Sequence, residues 1–316
     1  MKHLHLLCFF VFLLLYNCKT TRDSIGPFFT KEHFKAIVGH LAADSLMGRN
    51  TGTEAIARAA EFIENTFRDY GVKPYYKTYR DSFNINTLNA FNIIGVVAGT
   101  DPELKNETII LGAHYDHIGT LNAVNGDSIA NGANDNASGT AMVLGLAKYF
   151  TAAKNNKRTI VFVLFSGEEM GLKGSKHLAK RLKSENINLY TMLNFEMLGV
   201  PFVNRDYDMF LTGFETSNMA EKLNSYTASK RIGKSNISIE YQLFKRSDNY
   251  PFYTEFQVPS QTLSSCDLTN FDYYHHVDDE VDKLDFEFMT HILNVLAPAI
   301  ETMSNTKEKE ITLTHG

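Results

Sequence analysis

Short apolar runs alternate with stretches of helical period through the middle of this chain, and that alternation restricts its fold more than any other feature. Asn92 to Val97, Thr108 to Gly112, Thr159 to Phe165 and Met192 to Phe195 read as strands. Between the later ones, Ser138 to Phe150 and Leu172 to Lys183 have helical patterns. Runs apolar at nearly every position leave no face for water, so they belong in a sheet covered on both sides. Helices of this length serve as crossovers between parallel strands. The expected fold class is α/β, a single domain with a central, mostly parallel mixed β-sheet flanked by helices. Glu54 to Tyr70 predicts an earlier helix, with Ala55, Ala59, Phe62, Ile63 and Phe67 on one face and Gly71 at its end. A last amphipathic helix is expected from about Asp285 to Met303.

The first 17 residues stand apart. An unbroken apolar run from Leu6 to Tyr16 follows Lys2; it is too short for a permanent membrane span and reads as an export signal. Leu15-Tyr16-Asn17-Cys18 resembles the lipobox of bacterial lipoproteins, in which the cysteine becomes the lipidated first residue. Asn17 departs from the small residue usual there, and ordinary signal-peptidase cleavage with secretion is the alternative. The expected division is a signal over 1–17, a tether over 18–30, one domain over 31–305 and a charged tail over 306–316, where Lys307-Glu308-Lys309-Glu310 serves solvation. A lipid on Cys18 would hold the mature protein to a membrane, on its periplasmic or cell-surface side. Cys8 falls in the signal, so Cys266 is the one cysteine inside the fold and reads as an apolar filler. With 31 basic against 36 acidic residues the chain has no basic excess for nucleic acid, and 44% hydrophobic residues exclude disorder.

Ligands of open parallel sheets bind beyond the carboxyl ends of the strands. Ala113-His114-Tyr115-Asp116-His117 follows one apolar run, Gly132-Ala133-Asn134-Asp135-Asn136-Ala137-Ser138-Gly139 opens a helix, and Ser166-Gly167-Glu168-Glu169 follows another run. Asn194-Phe195-Glu196-Met197 ends a fourth strand, and Tyr273-Tyr274-His275-His276-Val277-Asp278-Asp279 precedes the last helix. Each string alone is ordinary, as a helix cap, a surface hydrogen bond or a solvated acid. Together at one sheet edge they form a nitrogen and oxygen donor set suited to zinc or related divalent metals. The number of donors suits two metals sharing a carboxylate, with a further carboxylate as proton carrier. In Glu168-Glu169, one neighbour can bind metal while the other acts as base.

At these strings the chain resembles the zinc-dependent exopeptidases of the bacterial leucyl aminopeptidase type, related to glutamate carboxypeptidase, the transferrin receptor and glutaminyl cyclase. The resemblance runs from about Leu46 to Ile300, beginning weakly at Leu46-Met47-Gly48-Arg49-Asn50-Thr51-Gly52. It implies the zinc exopeptidase fold and two zinc ions, with manganese or cobalt as substitutes. By resemblance, His114 and Glu196 bind the first metal, Asp135 bridges, and Glu169 and His275 bind the second. Asp116 orients His114 and Glu168 is the general base. His276 rivals His275, while His117 and Tyr115 are given packing and hydrogen-bonding roles. Tyr274 matches an oxyanion donor, or else an aromatic at the pocket rim. Glu196 stands where the family usually has Asp. Arg246-Ser247-Asp248-Asn249-Tyr250-Pro251-Phe252 resembles a loop shaping the substrate pocket. The activity implied is aminopeptidase hydrolysis of peptides with a free N-terminus through a zinc-activated water. The alternatives are a single-zinc glutaminyl cyclase and a binding lipoprotein without chemistry.

Overall fold

The computed structural model describes residues 28–314. The export signal and the lipid attachment at Cys18 lie outside the described residues. Two helices open the fold, α1 (Lys31–Leu41) and α2 (Glu54–Tyr70). Thr53 caps α2 by accepting from the Ile56 N–H, and Gly71 closes it in the left-handed region at φ 77°. Strands β1 (Lys73–Pro74), β2 (Arg80–Ile85) and β3 (Leu88–Val97) follow. β2 and β3 form an antiparallel hairpin, and β3 begins four residues before the apolar run that marks it in the sequence. The first half of β3, where Asn89 and Asn92 interrupt the apolar residues, pairs with β2.

The parallel heart comes next: β4 (Thr108–His114), the small hairpin β5 (Thr120–Val124) and β6 (Asp127–Ile129), α3 (Gly139–Ala153), β7 (Thr159–Phe165), α4 (Lys173–Ser184) and β8 (Leu189–Glu196). The chain then adds β9 (Met209–Leu211), α5 (Met219–Tyr226), β10 (Ile232–Gly233), α6 (Asn236–Glu240), α7 (Asn249–Phe256), β11 (Ser260–Ser264) and α8 (Phe286–Asn305). The main sheet runs β1-β3-β7-β4-β8-β11-β9-β10, with β2 beside β3. β7, β4, β8 and β11 are mutually parallel, while β3 and β9 join them antiparallel. This is the mixed α/β sheet expected from the sequence.

Side-chain alternation explains the two layers of helices. Ile109, Leu111 and Ala113 of β4 join the core formed with α1, α2, α3 and α8, whereas Ile110 joins the opposite core, where Leu178, Ala179 and Leu182 of α4 and Phe252 of α7 pack. α3 leaves β4 on one face and α4 leaves β7 on the other, so the chain changes sides around β4, which lies between β7 and β8. A crevice opens at such a switch point beyond the strands' carboxyl ends.

The end of the chain differs from the expected solvated tail. Ile311 is buried, and its N–H donates to the Tyr190 hydroxyl at 2.9 Å. Glu310 accepts from Tyr226 at 3.0 Å and Lys222 at 3.2 Å, and Leu313 forms a bridge with Ser217. The charge run conceals one apolar anchor, and the pairing partners lie far off in sequence. No helix among the described residues is long and apolar enough to cross a membrane.

Candidate metal centre

Five segments deliver the donors to the crevice. His114 is the last residue of β4 and Glu196 the last of β8. Asp135 lies in the turn over Ala133–Ser138 that opens α3, Glu168 and Glu169 follow β7, and His275 follows β11. The Nε2 of His114 stands 3.1 Å from Oε1 of Glu196 and 3.3 Å from Oδ1 of Asp135. The Nε2 of His275 stands 3.3 Å from Oδ2 of Asp135 and 3.1 Å from Oε2 of Glu169. Donors at tetrahedral angles, about 2.0 to 2.1 Å from a zinc ion, lie about 3.3 Å apart, and each imidazole stands at that separation from two carboxylates. Asp135 turns one oxygen to each set, as a bridging carboxylate must. The Nε2 of His275 is buried and has no hydrogen-bond partner, because the nearby carboxylates miss hydrogen-bond geometry. A cation among these donors would satisfy that nitrogen, and the residues fit divalent metal.

The surroundings fix these groups in place. The carboxylate of Asp279 accepts from the backbone N–H groups of Asn134 and Asp135 at 2.7 and 2.9 Å, holding the turn that carries Asp135. Arg49, fully buried, donates to the carbonyls of Tyr115 and Gly132 at 2.9 Å each and to those of Leu41 and Asn131. One guanidinium thus ties the end of β4 to the loop before Asp135. Burial lowers Arg49 to about 10, against the pull of Asp279, Asp135 and Asp116. Burial pushes Glu168 well above the usual carboxylate range despite His114, with Asp248, Glu196 and Glu169 adding to the shift.

The structure brings His114, Asp135, Glu168, Glu169, Glu196 and His275 around one cavity of about 560 Å³, and Tyr274 lines it as well. Of the two rival imidazoles His275 faces the cluster, whereas the Nδ1 of His276 accepts from the N–H of Asp278 at 3.1 Å. Glu196 reaches the cluster despite its extra methylene; Ser247 donates to its second oxygen at 2.9 Å, and Asn194 donates to Ser247 at 2.9 Å. Asp116 departs from its expected contact. The Nδ1 of His114 lies 3.1 Å from the backbone carbonyl of Asp116 and 3.7 Å from its carboxylate. That carboxylate accepts from Thr51 at 3.0 Å and from the N–H of Glu168 at 3.2 Å, so it positions the loop after β7. The Nδ1 of His117 stands 3.0 Å from Oε1 of Glu169, which leaves the other oxygen for His275. Tyr274 stacks on His275 with ring centroids 4.0 Å apart.

Sequence reasoning gave no role to Arg49, Thr51, Ser247 or Asp279. Each lies inside a quoted string, yet its role is a contact across the fold that the string cannot display. The segment read as a pocket loop includes the start of α7, with Ser247 two residues before it.

The sheet, its helical layers and the donors at its carboxyl edge define a protein of the zinc exopeptidase fold. Residues 92–300 match peptidase family M28, and the chain belongs to that family. A probable leucine aminopeptidase of Arthroderma otae is 28% identical over 249 residues, which cover 76% of this chain and 63% of that one. The chain therefore spans less than two thirds of that relative's length. A zinc aminopeptidase from Bacillus subtilis has the same fold with a TM-score of 0.68 and 15% identity, covering 90% of this chain and 98% of that one. A glutaminyl cyclase of Porphyromonas gingivalis gives a TM-score of 0.67 and 15% identity, covering 88% and 100% respectively.

Proposed function

We propose that the protein is a metal-dependent aminopeptidase that removes the N-terminal residue from peptides, using two zinc ions and Glu168 as general base. The observation carrying this reading is the pair of three-donor sets that share Asp135. The leucine aminopeptidase and zinc aminopeptidase relatives support the same reaction and metal. Zinc held by His114, Asp135 and Glu196, and by Asp135, Glu169 and His275, would supply Lewis acidity and a hydroxide nucleophile at neutral pH.

The chain's own residues do the rest. Glu168 lies in the cavity outside both assigned sets, where its carboxylate takes the proton from water and returns it to the leaving amine. The surrounding carboxylates favour a substrate's free α-ammonium over a carboxylate at the metal end. Met197, Phe210, Leu243 and Leu268 give the cavity an apolar wall for the N-terminal side chain. Tyr274, which lines the cavity, has the role in this reading of donating to the oxygen that gains charge on the attacked carbonyl. Export, with a lipid on Cys18 as the membrane anchor, belongs to the same proposal and would place the enzyme among extracytoplasmic peptides.

The reading is tested with short peptides carrying free or acetylated amino termini, before and after chelation and zinc return. Cleavage should be confined to free amines, lost with chelator and regained with zinc, and the Glu168→Gln variant should keep its metal without turnover. Ring closure of an N-terminal glutamine without hydrolysis would replace this reading with the cyclase. Metal-loaded protein inert in both assays would indicate a binding protein.

A further inference from the structure

Arg246 faces the same cavity and has no side-chain partner among the described residues. Each of the other eight arginines among the described residues engages a side-chain hydrogen bond or an ion pair. The Arg246 side chain makes no hydrogen bond, ion pair or ring contact among the described residues, although it lines a cavity that contains four carboxylates. It is also the only guanidinium or ammonium among the described residues on that wall. Its backbone is anchored: its N–H donates to the Leu243 carbonyl at 3.0 Å, and the next residue, Ser247, is bonded to Glu196. The cation is therefore carried on a fixed turn beside the donor cluster, yet stays free of its carboxylates.

The cavity is consequently polarised. Its floor holds Asp135, Glu168, Glu169 and Glu196, its wall is apolar, and its exposed lip has one unengaged guanidinium. With the amino end of a substrate at the donor cluster, a lip that takes a carboxylate complements the other end of a short zwitterionic peptide. Planar guanidinium groups bind carboxylates through two parallel hydrogen bonds.

From this arrangement we infer that Arg246 captures a substrate carboxylate on the leaving-group side, making the enzyme selective for dipeptides and other very short peptides with a free C-terminus. This rests on the aminopeptidase reading and adds to it a limit on substrate length and charge. The carboxylate has two possible sources, the C-terminus of a dipeptide or an acidic side chain next to the cleaved bond. Both present the same group to Arg246.

The test compares kcat/KM of the full-length protein for Leu-Gly, Leu-Gly amide and Leu-Asp amide, with leucine p-nitroanilide as a substrate lacking any carboxylate. The same panel is run on Arg246→Gln and Arg246→Lys. The ratio between acid and amide substrates is what is read, so any general loss of activity in a variant cancels. Wild type should prefer Leu-Gly over its amide by about tenfold or more, Arg246→Gln should bring that ratio to near one, and Arg246→Lys should restore part of it. A preference for Leu-Asp amide that disappears in Arg246→Gln, without one for Leu-Gly, would assign the carboxylate to the acidic side chain and overturn the dipeptide preference. Equal use of all three peptides by wild type, or a ratio that survives in Arg246→Gln, overturns the assignment. A wild type that cleaves neither the anilide nor any peptide overturns the aminopeptidase reading itself, a result separate from the loss of a ratio.

Discussion

Glu196 shows how one residue can be altered and its site retained. A carboxylate on a longer stem has more rotamers, and its donor atom stays near His114 only if the far oxygen is also held. Ser247 does this at 2.9 Å and is itself held by Asn194. Partners that orient a metal ligand typically contribute 10- to 100-fold in metal affinity. Ser247→Ala is therefore expected to weaken one of the two proposed zinc sites by about tenfold or more while leaving the other unchanged. Titration against a chromophoric chelator, which resolves the two affinities, checks it; two equal losses would show that Ser247 acts on the whole cavity rather than on Glu196.

At the scale of elements, close approaches set the position of the loop carrying Glu168 and Glu169. Gly174 lies in the first turn of α4, where an added Cβ would come within 2.3 Å of the Ser166 carbonyl and of the Asn92 side-chain oxygen. Any side chain there pushes α4 away from β7, and the intervening loop must follow. Gly174→Ala is expected to cost about 1 to 3 kcal/mol of stability and to lower activity more than a distant substitution of equal cost, as thermal melts read beside kcat/KM would show. The elements themselves were largely legible in the sequence, because β4, β7, β8, α2, α3 and α4 owe their existence to local apolar periodicity. The β2–β3 hairpin and the packed residues around Ile311 were not, since each depends on a partner distant in space or on a polar strand. The donors were legible as residue types in matched strings. Their division into two sets, the capture of Glu169 by His117, and the clamps made by Arg49 and Asp279 were invisible, because tertiary contact alone creates them.

Over the whole molecule, stability should respond to pH through a group remote from the metal centre. His33 of α1 lies among the rings of Phe29, Phe34 and Tyr70, and its Nε2 is buried without a hydrogen-bond partner. Burial, together with Lys148, lowers its pKa from 6.5 to about 4. Because the folded pKa is depressed, the unfolded chain takes up this proton first as pH falls. The stability His33 contributes is complete above about pH 6.5 and is lost progressively as pH falls through about 4. His33→Phe, which keeps the ring and removes the titration, should flatten the fall in melting temperature between pH 7 and pH 5; an unchanged slope would assign that fall to other groups. The wide spacing of the donors along the chain also governs when the centre can come into being. Its first donor is residue 114 and its last is residue 275, so a nascent chain must emerge almost to the start of α8 before both sets are complete. Under the proposed function, metal can therefore be taken up at both sets only late in the protein's maturation.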